Sequence, residues 1–155
     1  MHIACFIFSV MGGASSSNFD EATGLWKGTV TTANNGGFIG IRSTPFKNGV
    51  DMSQCKGVEI ELLASNNKKG GPQKIKGMLR DNTEFNGPTW CTTFNVPSKG
   101  GRVIRIKLDF NKLIATKFAR VINDEEIFQK DNVSGVQLVY SKVRHSILPF
   151  LIFFF

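Results

Sequence analysis

"GLWKGTVTTANNGGFIGIRS", Gly24 to Ser43, holds two short alternating runs around a turn-rich centre. Trp26, Gly28 and Val30 fall on one face of the first run, and Phe38, Gly40 and Arg42 on one face of the second. A period of two is the spacing of a pleated strand. "ANNGG" between them carries Asn-Gly, which tolerates the positive φ of a tight turn, so the stretch predicts a β-hairpin. The same alternation recurs outward from it. "VEIELL" alternates Val58, Ile60 and Leu62 with Glu59 and Glu61, and "RVIRIKLDF" sets Ile104, Ile106 and Leu108 against Arg105 and Lys107. "IKGMLRD", "WCTTFNV" (Trp90, Thr92, Phe94 and Val96 on one face) and "VSGVQLVYSK" read as further strands. The one helical candidate is "NKLIATKFARVINDEEI", with Leu113, Phe118 and Val121 loosely spaced. Six or more short strands with turn signals about every ten residues predict an antiparallel sandwich or barrel.

The 155 residues allow one domain with a real core. Apolar residues make up 41% and charged residues 20%, a globular balance, and the 16 Gly and 14 Phe favour strands and tight turns over long helices. Cys5, Cys55 and Cys91 lie far apart and leave one thiol over in any disulfide scheme, which points to a reducing compartment. The same compartment makes the formal glycosylation acceptor Asn132-Val133-Ser134 irrelevant. A net charge of +7 favours acidic partners such as nucleic acid, anionic lipid or an acidic protein face.

Chemistry is sparse. "VMGGASSSNF" lacks the Lys that a phosphate loop requires, and no dinucleotide fingerprint lies between a strand and a helix. His2 and His145 belong to no metal-ligand or nucleophile spacing. Asp124, Glu125 and Glu126 are adjacent carboxylates without an EF-hand pattern. The sequence therefore gives no catalytic, cofactor-binding or metal-ligating residues. Basic residues remain: Lys68, Lys69, Lys74, Lys76 and Arg80 in one region, Lys99, Arg102, Arg105 and Lys107 in another. They could position phosphates, with Phe85 or Trp90 as stacking surfaces, yet outward Lys and Arg are also what any soluble strand shows.

The apolar run Ile3 to Met11 has no Lys or Arg before it, and "SILPFLIFFF" at the other end is far short of the ~20 residues of a membrane helix. No transmembrane segment is expected.

Taken together, these stretches resemble the complex I intermediate-associated protein 30 domain family, in the version found in photosynthetic organisms. Val10-Met11-Gly12-Gly13-Ala14-Ser15 matches the family's "DxVMGGxS" opening beyond its Asp, and Trp26 to Arg42 follows its run "F-x-G-x-V-S-T-A-N-N-G-G-F-x-S-x-R" nearly throughout. "DMSQCKGVEIELLA", "WCTTFNV", "IRIKLDFNKL" and "NVSGVQLVYSK" are similar to its later segments. The motif residues that the resemblance marks are Gly12, Gly13, Ser15, Asn34, Asn35, Gly36, Gly37, Phe38, Arg42 and Gly57, in structural or binding roles. A basic surface of Lys74, Lys76, Arg80, Arg105 and Lys107 stands beside them.

The resemblance implies an all-β, antiparallel jelly-roll β-sandwich, galactose-binding-domain-like, over residues 10–142. The span from Lys112 to Asp131 becomes mostly extended connection. Residues 1–9 and 143–155 depart from the family's pattern and are expected to be doubtful termini, leaving edge strands missing at both ends. It further implies a non-enzymatic assembly factor in plastid or mitochondrion that binds protein subunits or other assembly factors and needs no cofactor. The alternatives are an RNA-binding module for organellar translation and a carbohydrate-binding module.

Overall fold

Alternation along the chain is converted into two antiparallel sheets that share one core. The computed structural model describes residues 14–31, 33, 37–64, 73–96, 101–118, 120–122, 126–141 and 146–154, the last of these by backbone. A five-stranded sheet has the order β1-β2-β11-β4-β7, and a six-stranded sheet the order β3-β10-β5-β6-β8-β9. The strands are β1 (Ser16–Asp20), β2 (Leu25–Val30), β3 (Phe38–Arg42), β4 (Gly57–Ala64), β5 (Gln73–Arg80) and β6 (Thr89–Val96). They continue through β7 (Val103–Asp109), β8 (Ile114–Lys117), β9 (Arg120–Val121), β10 (Gly135–Ser141) and β11 (Ser146–Phe154). From the first sheet, Trp26, Val30, Ile60, Leu62, Ile106 and Leu108 point into the core. They meet Ile39, Ile41, Ile75, Leu79, Trp90, Val96, Leu138 and Tyr140 of the second. Glu59, Glu61, Arg105 and Lys107 face outward, as the alternation in β4 and β7 predicts.

The hairpin expected at "ANNGG" is corrected. β2 pairs with β1 and β11, while β3 pairs with β10, so the two strands belong to opposite sheets and the segment between them is a crossover. The physical reason lies in the side chains. Trp26 and Val30 on β2 and Ile39 and Ile41 on β3 are all buried in one core, and the strands meet face to face. A Cβ on Gly28 would stand 2.4 Å from Ile39 Cδ1, so the missing side chain is what lets Ile39 press onto β2. The expected turn chemistry holds at Gly37, whose φ of 142° suits glycine alone, but a tight turn does not dictate which strands pair. Asn34, Asn35 and Gly36 lie outside the described residues.

The expectation of a missing strand at the C-terminal end is also corrected. Residues 146–154 form β11, which lies between β2 and β4. Pro149 has no N–H to give a ladder, and its position accommodates this: it pairs with Lys27 of β2, and pairing with β4 begins only at Phe150. Residues 1–9, with the apolar start, lie outside the described residues.

Among its described residues the helical candidate contains no helix beyond the end of a single 3-10 turn, Phe110–Lys112, capped by Asp109. Beyond that turn the described residues include two short strands, in line with the extended connection that the family comparison implies, and they are also paired: β8 joins β6 and folds back on β9 at the edge of the six-stranded sheet. Phe118 at the tip of this hairpin has φ 50° and is largely exposed. Among the described residues no helix is long and apolar enough to cross a membrane.

Candidate functional site

On the six-stranded sheet, strand register builds a row across the face turned away from the core. Arg42 of β3 stands beside Gln137 of β10, Gln137 beside Met78 of β5, Met78 beside Cys91 of β6, and Cys91 beside Ile114 of β8. One step along, Arg80 of β5 stands beside Gly135 of β10. An outward face is ordinarily wet, yet Met78, Cys91 and Gln137 are each less than a tenth exposed, and Arg80 is 4% exposed. The face is recessed.

The loop from Asp81 to Pro88 forms one wall of this recess, and it is fastened by its own carbonyls. Arg42 Nη1 donates to the Phe85 carbonyl at 3.0 Å, and Arg80 Nη2 donates to the neighbouring Glu84 carbonyl. Arg42 Nε also donates to Gln137 Oε1 at 2.9 Å, and its guanidinium lies 5.2 Å from the centroid of the Phe85 ring. Arg80 Nη2 donates as well to Asn82 Oδ1 at 3.1 Å. Arg80 Nη1 is buried and has no hydrogen-bond partner among the described residues.

Burial and a neighbouring charge act on the Arg42 guanidinium. Desolvation, and after it the positive charge of Arg80, pushes the Arg42 pKa down to about 10, which still leaves it charged at neutral pH. Desolvation also lowers Arg80, with Asp81 and Glu84 opposing. Asp81 is itself engaged, since its Oδ2 accepts from the indole Nε1 of Trp90 at 2.7 Å and from the Gln129 amide at 3.1 Å. On the far side of the loop lies an open depression of about 370 Å³ lined by Asp81, Asn82, Glu84, Trp90, Glu126 and Ile127 among others.

The sequence-derived residues are dispersed by the fold. Ser15 is buried, and its hydroxyl donates to the Thr31 carbonyl and accepts from the Thr31 amide, both at 3.1 Å, clipping the approach to β1 onto the end of β2. Gly57 serves close packing, because a Cβ there would lie 2.4 Å from the Leu108 carbonyl oxygen. Phe38 begins β3, more than a third exposed and in register with Ser141. Gly37 shapes the crossover into β3. Gly12 and Gly13 lie outside the described residues.

The basic residues divide between the two outer faces. Lys74 and Lys76 lie on β5 with Arg80, opposite Asn95 and Thr93 of β6. Arg105 and Lys107 lie on β7 in the other sheet, where Arg105 Nε is 2.6 Å from Glu61 and Lys107 Nζ is 3.4 Å from Glu59. Trp90, considered as a stacking surface, is instead a core residue tilted against Phe128 at 5.5 Å. Phe85 is 60% exposed and stands at the site. Reasoning from sequence places Arg80 on a strand face but misses its burial and its proximity to Arg42, and misses Gln137 altogether. Alternation in "VSGVQLVYSK" carries the only signal for Gln137, by setting it opposite to Val136 and Leu138.

These sheets define a galactose-binding-like jelly-roll sandwich, a scaffold that solved structures share. A family 11 carbohydrate-binding module from Clostridium thermocellum, in complex with a β-1,3-1,4-mixed-linked tetrasaccharide, superposes with a TM-score of 0.60 at 16% identity, covering 95% of this chain and 85% of that one. PfGH50B superposes with a TM-score of 0.55 at 11% identity, covering 98% of this chain and 23% of that one. At such identities the likeness is one of fold. No curated protein is detectably similar to the chain. The family described as Complex I intermediate-associated protein 30 matches residues 9–150, and the chain belongs to that family. The match runs past Lys142 into β11.

Proposed function

We propose that the chain is a non-enzymatic interaction domain that holds a protein subunit or another assembly factor while a large organellar membrane complex is built. Membership of a family named for an intermediate of complex I, over residues 9–150, carries this reading. The recessed outer face of the six-stranded sheet, with Arg42 and Phe85 at its rim and Gln137 on its floor, is the surface best equipped for the task. Arginine and aromatic side chains in partly desolvated settings are the usual anchors of protein interfaces. RNA binding gains little support, because the basic residues lie on two opposite faces and Arg105 and Lys107 are paired with carboxylates.

Affinity capture of the full chain from plastids and from mitochondria, in moderate salt, tests the proposal. Recovery of subunits or assembly factors of one membrane complex is the expected result. Recovery of RNA whose binding falls steeply with salt, or binding only to a glycan array, overturns it.

A further inference from the structure

Two charged guanidiniums held together in a recess call for an anion. We propose that Arg80 and Arg42 form a carboxylate-binding site that takes an acidic side chain of a partner polypeptide. The proposal rests on the protein-binding reading above and names the chemistry of the partner.

The geometry comes first. Arg42 and Arg80 flank β10 on its two sides, opposite Gln137 and Gly135. These are alternate residues of one strand and so share a face. Gly135 presents no side chain between the two arginines, and a Cβ there would lie 3.9 Å from Arg80 Cδ. Both guanidiniums donate to consecutive carbonyls of one loop, those of Glu84 and Phe85, so the pair is already drawn toward a common patch of negative potential.

The remaining donor capacity comes next. Arg80 is 4% exposed, and its Nη1 has no partner among the described residues. The ion pairs found there join Arg105 to Glu59 and Glu61, Lys107 to Glu59, and Lys112 to Asp109, and none includes Arg80. A buried ionised donor left unsatisfied is costly, and the guanidinium fork is shaped for the two oxygens of a carboxylate.

Charge then selects between oxyanions. Asp81 and Glu84 both act on Arg80 and oppose the loss of its proton, so the site already senses two carboxylates. A phosphate would bring a second negative charge toward them, whereas a single carboxylate brings one. The exposed ring of Phe85 lies against Arg42 and borders the pair on the solvent side. Burial first, and the Arg80 charge after it, lower the Arg42 pKa to about 10, and an anion between the two guanidiniums opposes both.

The test titrates the full chain with a hexaglutamate peptide blocked at both ends, its hexaglutamine counterpart, and inorganic phosphate, read by calorimetry and by the arginine Nε–H resonances. Saturable binding of hexaglutamate with shifts at Arg42 and Arg80, and none with hexaglutamine, is expected. Arg42→Gln should weaken it about tenfold or more, while Lys107→Gln on the other sheet leaves it unchanged. Arg80→Gln should do at least as much, and Arg80→Lys, which keeps the charge but loses the planar fork, should still weaken binding if Arg80→Gln fails to fold. Phosphate binding more tightly than hexaglutamate, equal loss on Lys107→Gln, or no Arg42 and Arg80 shifts would overturn the site. Organellar capture that proceeds equally well with Arg42→Gln overturns the site and leaves the protein-binding reading standing. Peptide binding without any captured protein does the reverse.

Discussion

Trp90 on β6 donates its indole N–H to Asp81 Oδ2 at 2.7 Å, and the same oxygen accepts the backbone amide of Gln129 at 3.1 Å. One carboxylate therefore fastens the loop after β5 to a core tryptophan and to the chain that leads into β10. The Phe128 ring, beside Gln129, packs on Trp90 and on Phe110 at 5.5 and 5.2 Å. Removing the carboxylate by Asp81→Ala leaves the buried indole donor without a partner and should lower stability by about 1 to 3 kcal/mol. Asp81→Asn retains an acceptor and should lose less. Urea unfolding of the two variants against wild type checks the order.

Gly57 is held by backbone, not by a flexible side chain. Its absent Cβ would lie 2.4 Å from the Leu108 carbonyl oxygen and 3.1 Å from Asp109 Cα, where β4 pairs with β7. Gly57→Ala has to push β4 and β7 apart at this point and should destabilise by about 1 to 3 kcal/mol, as overpacking does. A thermal midpoint unchanged from wild type would show that the pairing yields more easily than the geometry implies.

Phe118, at the turn between β8 and β9, carries a φ of 50° in the left-handed region, where the Cβ of an L-residue crowds the backbone carbonyl, and it is largely exposed. Phe118→Gly relieves a strain of about 1 to 2 kcal/mol, offset to some extent by the greater chain entropy of glycine. A small rise in the urea midpoint is expected. A clear fall would mean that the ring makes a contact worth more than the strain.

Asp20 caps the turn between β1 and β2. Hydrogen bonding from Thr23 first, and then from the Ala22 amide at 3.0 Å, holds its pKa below the usual carboxyl range. The folded chain then binds fewer protons than the unfolded chain between the two values. The contribution is complete above the ordinary carboxyl pKa and is lost as the pH falls through the lowered one. Asp20→Asn should remove this component of the acid dependence, as urea titrations at successive pH values would show. A carboxyl resonance for Asp20 titrating in the ordinary range would contradict the assignment.

The inward faces of β4, β6 and β7 are legible in sequence because alternation is local: each residue's exposure follows from its own place in the pleat. Val58, Ile60 and Leu62 against Glu59 and Glu61 need no knowledge of a partner strand. The hairpin expected at Asn34 to Gly37 fails for the complementary reason. A tight turn leaves open whether the next strand pairs beside its predecessor or crosses above it, and that is settled by β10 and β11, about a hundred residues further on. "NKLIATKFARVINDEEI" misleads through spacing loose enough to fit a helix, while β-branched Ile114, Thr116 and Val121 enter strand pairs.

The sequence by itself determined an all-β chain, the inward face of most strands and, through long motifs, the family. All of these depend on near neighbours or on runs of identity. Only the tertiary structure decided which strands lie side by side, that the C-terminal run enters the middle of a sheet, and that Arg42 and Arg80 share a recess beside Gly135. Backbone hydrogen bonding is indifferent to side-chain identity, so the choice of partner falls to burial of the whole core, and with it the placement of every charge on the outer faces.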